Sequence, residues 1–252
     1  MIELQGITKR YHGNSVVEDL SFSLPTGKII AFIGSNGAGK STVLSIISRL
    51  IAANEGLVCI DGKNLTDWDT RELAKHLAVL GQTTRLTARL TVEDIVRFGR
   101  FPHSQGRLDA EDLCLVEQAL EYTELTDLRG RFLDELSGGQ LQTAYIAMAI
   151  AQDTRYILLD EPLNNLDMRR SVKIMKLLRN LVENRGKSIL IVIHDINFVS
   201  FHADYVVALK NGRLRHSGPV NSIITQTVLR DIYDLDIAIE PYGDKKLCVY
   251  YE

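Results

Sequence analysis

Gly34-Ser35-Asn36-Gly37-Ala38-Gly39-Lys40-Ser41 fits the pattern G-x-x-x-x-G-K-[ST]. In such a loop, glycines let backbone N–H groups converge on phosphate oxygens, and the helix that follows offers its positive N-terminus. The Lys40 ammonium can reach the β- and γ-phosphates of a nucleotide, and the Ser41 hydroxyl can ligate Mg²⁺. The context agrees, because the unbroken apolar run Ile29-Ile30-Ala31-Phe32-Ile33 enters the loop and a helix-like stretch from Lys40 to Leu50 leaves it. These residues read as a nucleotide site. Tyr156-Ile157-Leu158-Leu159-Asp160-Glu161 is an apolar strand that ends in two carboxylates. The carboxyl end of a strand is where open α/β sheets bind ligands. There Asp160 would hold the Mg²⁺ shell and Glu161 would polarise an attacking water. Leu136-Ser137-Gly138-Gly139-Gln140 stands about one helix upstream, ahead of a helix expected over Leu141 to Ala151.

The elements that must position these groups follow from hydropathy. The first 30 or so residues alternate apolar and polar, as in Leu20-Ser21-Phe22-Ser23-Leu24, which predicts an antiparallel layer with one wet face. Continuous apolar runs at Ile29–Ile33, Leu77–Leu80, Tyr156–Leu159 and Ser188–Ile193 predict buried strands of a parallel sheet. Between Thr83 and Asp153 the spacing turns helical, with Val92, Ile95, Val96 and Phe98, then Leu113, Val116, Leu120 and Leu125, suggesting amphipathic helices. An α-only insertion therefore interrupts an α/β core. The tail from Leu235 to Tyr251 reads as a hairpin turning at Tyr242-Gly243-Asp244-Lys245.

Composition excludes other classes. The chain has 252 residues, 45% hydrophobic and 24% charged, which is ordinary for a globular domain and enough for a sizeable core. Its formal charge of −3 provides no global field to attract nucleic acid. Cys59, Cys114 and Cys248 form no CxxC pair and read as reduced thiols. MIELQGITKRYHG has no apolar h-region, so no secretory leader is expected, and the apolar runs are strand-sized rather than membrane-spanning.

With the run Leu136-Ser137-Gly138-Gly139-Gln140 the chain resembles the nucleotide-binding subunits of ATP-binding cassette (ABC) transporters, in the family's order from Tyr11 to about Gly218. The resemblance implies an α/β fold: a P-loop NTPase (RecA-like) core with an antiparallel β layer and an inserted α-helical subdomain. The single domain of residues 1–252 would divide into a nucleotide-binding core (1–82 and 156–234), a helical subdomain with the signature (83–155) and a C-terminal hairpin (235–252). ATP and Mg²⁺ are the implied cofactors. Gly34, Ser35, Asn36, Gly37, Ala38, Gly39, Lys40, Ser41 and Thr42 would hold the nucleotide, with Tyr11 stacked on adenine. Ser41, Gln82 and Asp160 would serve the metal; Glu161, His194 and Gln82 would serve catalysis. Leu136, Ser137, Gly138, Gly139 and Gln140 would meet the ATP of a second, head-to-tail copy, and Asp167 would mark the loop that crosses to it. The other five histidines read as ordinary structural residues. This chain departs from many relatives in having Leu141-Gln142-Thr143 where arginines follow the signature, and Leu163-Asn164-Asn165 in place of Thr-Ser-Ala.

The run from Thr91 to Pro102 resembles importers of iron–siderophore, haem and cobalamin complexes, and Pro162 to Met168 looks most like the ferric-siderophore branch. The implied partners are a second copy, two membrane permease subunits and, indirectly, an extracytoplasmic siderophore-binding protein. The implied location is peripheral, on the cytoplasmic face of the inner membrane. Arg85, Arg89, Arg97, Arg100 and Arg107 fall in the segment that meets the permease in the family, although by themselves they read as a solvated helical face. The alternatives are a haem or cobalamin importer ATPase and a soluble ABC ATPase acting as an assembly factor. A nucleic-acid-acting cassette or a small-molecule kinase fits less well.

Overall fold

The computed structural model describes residues 1–81, 89–164 and 166–250. In chain order it begins with β1 (Ile2–Tyr11), β2 (Asn14–Leu24), β3 (Ile29–Ile33), α1 (Lys40–Ile47), β4 (Glu55–Ile60) and β5 (Lys63–Asn64). Next come α2 (Thr70–His76), β6 (Leu77–Leu80), α3 (Val92–Phe98), α4 (Phe101–Ser104), α5 (Ala110–Tyr122), α6 (Gly138–Ala151), β7 (Tyr156–Asp160) and α7 (Met168–Arg185). The chain closes with β8 (Ser188–Val192), α8 (Ile196–His202), β9 (Tyr205–Lys210), β10 (Arg213–Pro219), α9 (Val220–Ile223), α10 (Gln226–Tyr233), β11 (Ala238–Tyr242) and β12 (Lys245–Val249). Two compact units emerge, one of Met1–Trp68 with Ser188–Glu252 and one of Asp69–Lys187.

In the first unit, β1 pairs antiparallel with β2 and β4. The predicted alternation breaks where the register shifts between Leu4 and Ile7, so that Ile7 and Thr8 are buried in succession. A bulge adds a residue and turns the following side chains over. In the other sheet of this unit, β3 lies between β8 and β9 and is parallel to both. Every residue of β3 and β8 is buried, as expected of parallel strands covered on both faces. Phe32 pairs with Val192, so the chain leaves β3 toward Gly34 and leaves β8 toward His194 at the same carboxyl edge. The helix after the loop is shorter than the expected Lys40–Leu50. It ends at Ile47 because Arg49 adopts a left-handed φ of 59° and the Leu50 N–H folds back to the Ser45 carbonyl.

In the second unit β6 and β7 run parallel, with Leu80 beside Leu159. Helix α6 starts at Gly138, ahead of the expected Leu141, because Ser137 is its N-cap. It is buried nearly all round and packs on α3 and α5. Val92, Ile95, Val96, Val116, Leu120 and Leu125 are core, whereas Phe98 and Leu113 are exposed because they fall outside the buried helical stripes. Arg100 corrects the reading of a solvated basic face. Its guanidinium is buried, donates to Asp112 at 2.7 Å and caps the end of α6 through the Ala151 and Gln152 carbonyls, both at 3.0 Å. Among its neighbours in sequence, Arg97 pairs with Glu93 and Arg89 lies over the Phe132 ring, while Arg85 falls outside the described residues.

Candidate functional site

The phosphate loop is built from positions that only glycine can fill. Gly34 has φ +139°, and a Cβ there would sit 2.1 Å from the Leu209 carbonyl oxygen of β9. Gly39, the N-cap of α1, has φ +96° and brings its backbone against Val16 of β2, where a Cβ would meet the carbonyl oxygen at 3.0 Å. The loop is thus moulded between two strands. Lys40 is only 5% exposed, and its Nζ curls back to donate to the Gly34 and Ser35 carbonyls at 2.8 and 3.0 Å. The N-cap of α1 makes no side-chain cap and the first turn carries no acid. Its leading N–H groups therefore face the loop, the electrostatic setting for a phosphate.

Two more candidates lie in this unit. His194 is exposed at the end of β8, just before Asp195 caps α8 by accepting from the Asn197 and Phe198 N–H groups. Tyr11 ends β1, 43% exposed, with the Lys9 ammonium 5.1 Å from its ring centroid.

The second unit holds the carboxylates and the signature turn. Asp160 ends β7 and is 7% exposed. Glu161 takes a left-handed φ of 51°, an uncommon conformation for a residue with a side chain. Asn164 steadies it: its backbone N–H donates to the Glu161 carbonyl at 3.2 Å and its Nδ2 to Oε2 at 2.6 Å. The departure at Asn164 noted in the sequence thus gives Glu161 an amide donor in place of a hydroxyl. Ser137 and Gln140 cap α6 reciprocally, with Ser137 N–H donating to Gln140 Oε1 at 3.0 Å and Gln140 N–H to Ser137 Oγ at 3.3 Å. Ser137 and Gly138 are exposed, Gly139 is buried, and Thr143 Oγ1 donates to the Gly139 carbonyl at 2.8 Å. Asp167 caps α7 by accepting from the Arg170 N–H at 2.8 Å. Gln82 lies outside the described residues, as does Asn165.

A family model described as "ABC transporter" matches residues 17–164, which takes in the phosphate loop, the signature turn and the acidic strand end. The chain belongs to the ABC transporter family. This cassette is 53% identical over 251 residues, the full length of both chains, to the petrobactin import ATP-binding protein YclP of Bacillus subtilis (strain 168). Its structure resembles the dimeric structure of MJ0796, a bacterial ABC transporter cassette, with a TM-score of 0.79 and 31% identity over 87% of this chain and 99% of that one. It also resembles a chain of a putative metal-chelate type ABC transporter in an inward-facing conformation, with a TM-score of 0.83 and 26% identity over 99% and 98% of the two chains. The cassette is an ATP-binding subunit and an ABC-type ATPase, with the α/β P-loop NTPase fold expected from its sequence. Neither Asn164 beside Glu161 nor Arg170 beside Ser137 has a signature in the sequence, since each is seen only once a turn or two helix ends are placed.

Proposed function

We propose that this cassette is the ATP-hydrolysing motor of a ferric-siderophore importer, acting as two head-to-tail copies on two membrane permease subunits. The observation that carries the cargo class is the full-length 53% identity to a petrobactin import ATP-binding protein. The likeness to a dimeric cassette and to a metal-chelate type transporter supports the assembly. Phe98 and Phe101, stacked at 5.7 Å and 59% and 51% exposed, give the segment after β6 an apolar face suited to a permease helix. No described helix is long and apolar enough to cross a membrane, which fits a peripheral subunit at the cytoplasmic face of the inner membrane. An extracytoplasmic siderophore-binding protein would deliver the cargo.

In this reading residues 1–82 and 156–234 serve the nucleotide and residues 83–155 carry the signature. The amides from Gly34 to Thr42 and the Lys40 ammonium hold the phosphates, and Tyr11 stacks on adenine. Ser41, Asp160 and Gln82 would hold Mg²⁺ through their oxygens, a donor set that suits a hard cation, and the ion would supply neutralisation of phosphate charge. Glu161 accepts a proton from the attacking water, and His194 and Gln82 orient the γ-phosphate and that water. Ser137 with the Gly138 and Gly139 amides receives the γ-phosphate of the partner's ATP, and Asp167 lies at the crossing.

Uptake of ferric siderophores by cells lacking this chain, complemented with wild type or Lys40→Ala, tests the cargo. Rescue by wild type alone is expected, and unchanged uptake of every siderophore would move the reading to haem, cobalamin or a soluble assembly factor. For the chemistry, Glu161→Gln is expected to slow phosphate release by roughly a hundredfold or more while retaining ATP. Near-normal release would remove Glu161 as the base.

A further inference from the structure

The signature serine has a cationic neighbour from another helix. Arg170, in the first turn of α7, brings Nη1 to 3.5 Å from Ser137 Oγ. Its backbone N–H donates to Asp167 Oδ1 at 2.8 Å, and its Nε lies 3.8 Å from Asp167 Oδ2. One guanidinium therefore spans the carboxylate that caps α7 and the hydroxyl that caps α6. Neither hold is tight. The ion pair is long, its partners are 37% and 64% exposed, and such pairs contribute little. The side chain also has room to move, because Arg170, Asp167 and Gln140 line a groove of about 640 Å³. Arg169, Lys173 and Lys176 line the same groove; Lys173 is paired with Glu124 of the same lining, which leaves Arg169 and Lys176 to tilt the field toward an anion. The first turns of α6 (Gly138 to Thr143) contain no charged residue. Positive charge at this helix end has to come from elsewhere in the fold.

We propose that Arg170 is a γ-phosphate ligand acting in trans. When two copies close on ATP, its guanidinium exchanges the Asp167 carboxylate for a phosphate oxygen held beside Ser137. The inference rests on the head-to-tail reading above and deepens it. A guanidinium presents a planar fork of donors that matches phosphate oxygens, and closure removes the water that weakens the contact in the open copy. With ADP, which lacks the γ-phosphate, the guanidinium keeps Asp167, so the same side chain distinguishes the two nucleotides. Arg170 thereby restores the positive charge that Leu141-Gln142-Thr143 leaves out of the stretch after the signature.

The test uses the full-length chain carrying Glu161→Gln, with ATP-driven dimerisation followed by sedimentation. Adding Arg170→Gln is expected to raise the ATP concentration for half-dimerisation about tenfold. Arg170→Lys is expected to recover part of that loss, and the melting temperature and ATP binding of the dilute monomer stay unchanged. Mixed dimers identify the direction of the contact. Paired with an otherwise unaltered copy, a Lys40→Ala copy offers only its signature side. Arg170→Gln should weaken this dimer when carried by the Lys40→Ala copy and be silent on the other. Equal effects from both positions, or none, would overturn the proposal while the parent still dimerises. A Glu161→Gln parent that fails to dimerise with ATP would overturn the head-to-tail reading, and this proposal with it.

Discussion

The phosphate loop and the signature turn are both glycine-containing entries into a helix, yet they are built on opposite plans. The phosphate loop is completed by its own unit. Gly34 is pressed on Leu209, Gly39 on Val16, and the buried Lys40 folds over its own loop carbonyls. Helix α1 has no side-chain cap. The signature turn is exposed at Ser137 and Gly138, and α6 caps itself through Ser137 and Gln140. A helix end with no side-chain cap and no acid in its first turn favours an anion from the monomer stage. One that is already capped, with its serine at the surface, needs a ligand delivered from outside. The difference teaches why one turn would bind ATP alone and the other only in a pair.

The strongest way to break this contrast is Gly34→Ala. A Cβ 2.1 Å from a backbone oxygen leaves no flexible atom to yield. Loss of monomer ATP binding and destabilisation by about 3 kcal/mol are expected, read by nucleotide titration and urea unfolding. Ser137→Arg should behave in the reverse manner, abolishing turnover while monomer ATP binding persists. Loss of ATP from that monomer would mean that the signature turn is not a trans element. A smaller effect is expected from Asn164→Ala, which removes the 2.6 Å hydrogen bond on Glu161. Turnover should fall roughly threefold to tenfold with KM unchanged, the range for losing one ordinary hydrogen bond. A faster enzyme would show instead that Asn164 restrains Glu161.

The smallest effect serves as a control remote in sequence from both turns. Hydrogen bonds from Arg215, then His216, hold the Asp231 carboxyl down at about 2. A depressed carboxyl stabilises the fold above its ordinary value near 4 and loses that contribution as pH falls toward 2. Asp231→Asn should therefore slightly lower stability at neutral pH and flatten its acid dependence between pH 4 and 2. The carboxylate is part-exposed and reached by solvent, so the change in melting temperature should be small, and neither turn should respond.

Much of this molecule is legible without coordinates because its chemistry depends on neighbours in sequence. An apolar strand that runs into Gly34–Ser41 must present backbone amides at a helix start, and Tyr156–Leu159 must carry Asp160 and Glu161 to a strand end. Four of the parallel strands were equally readable, since burial on both faces demands unbroken apolar runs, but β9, which also lies parallel to β3, was not among them. Other features were not. The bulge in β1 reverses a simple alternation, and Arg100 reads as a surface charge until Asp112 and the end of α6 surround it. Hydropathy describes a residue's own cost of burial, and it says nothing of the partner that offsets that cost.

Local pattern alone was enough for the fold class, for four of the buried strands and for the two helix-entry turns, because periodicity and glycine spacing act over a few residues. Only the tertiary structure decided that Lys40 is curled onto its own loop, that Asn164 holds Glu161 and that Arg170 stands beside Ser137. Those three contacts depend on directions set by backbone conformation and by the placement of separate elements. A separation of 33 in sequence carries no local signal of the approach, because it is the fold of one unit that brings the first turns of α6 and α7 together.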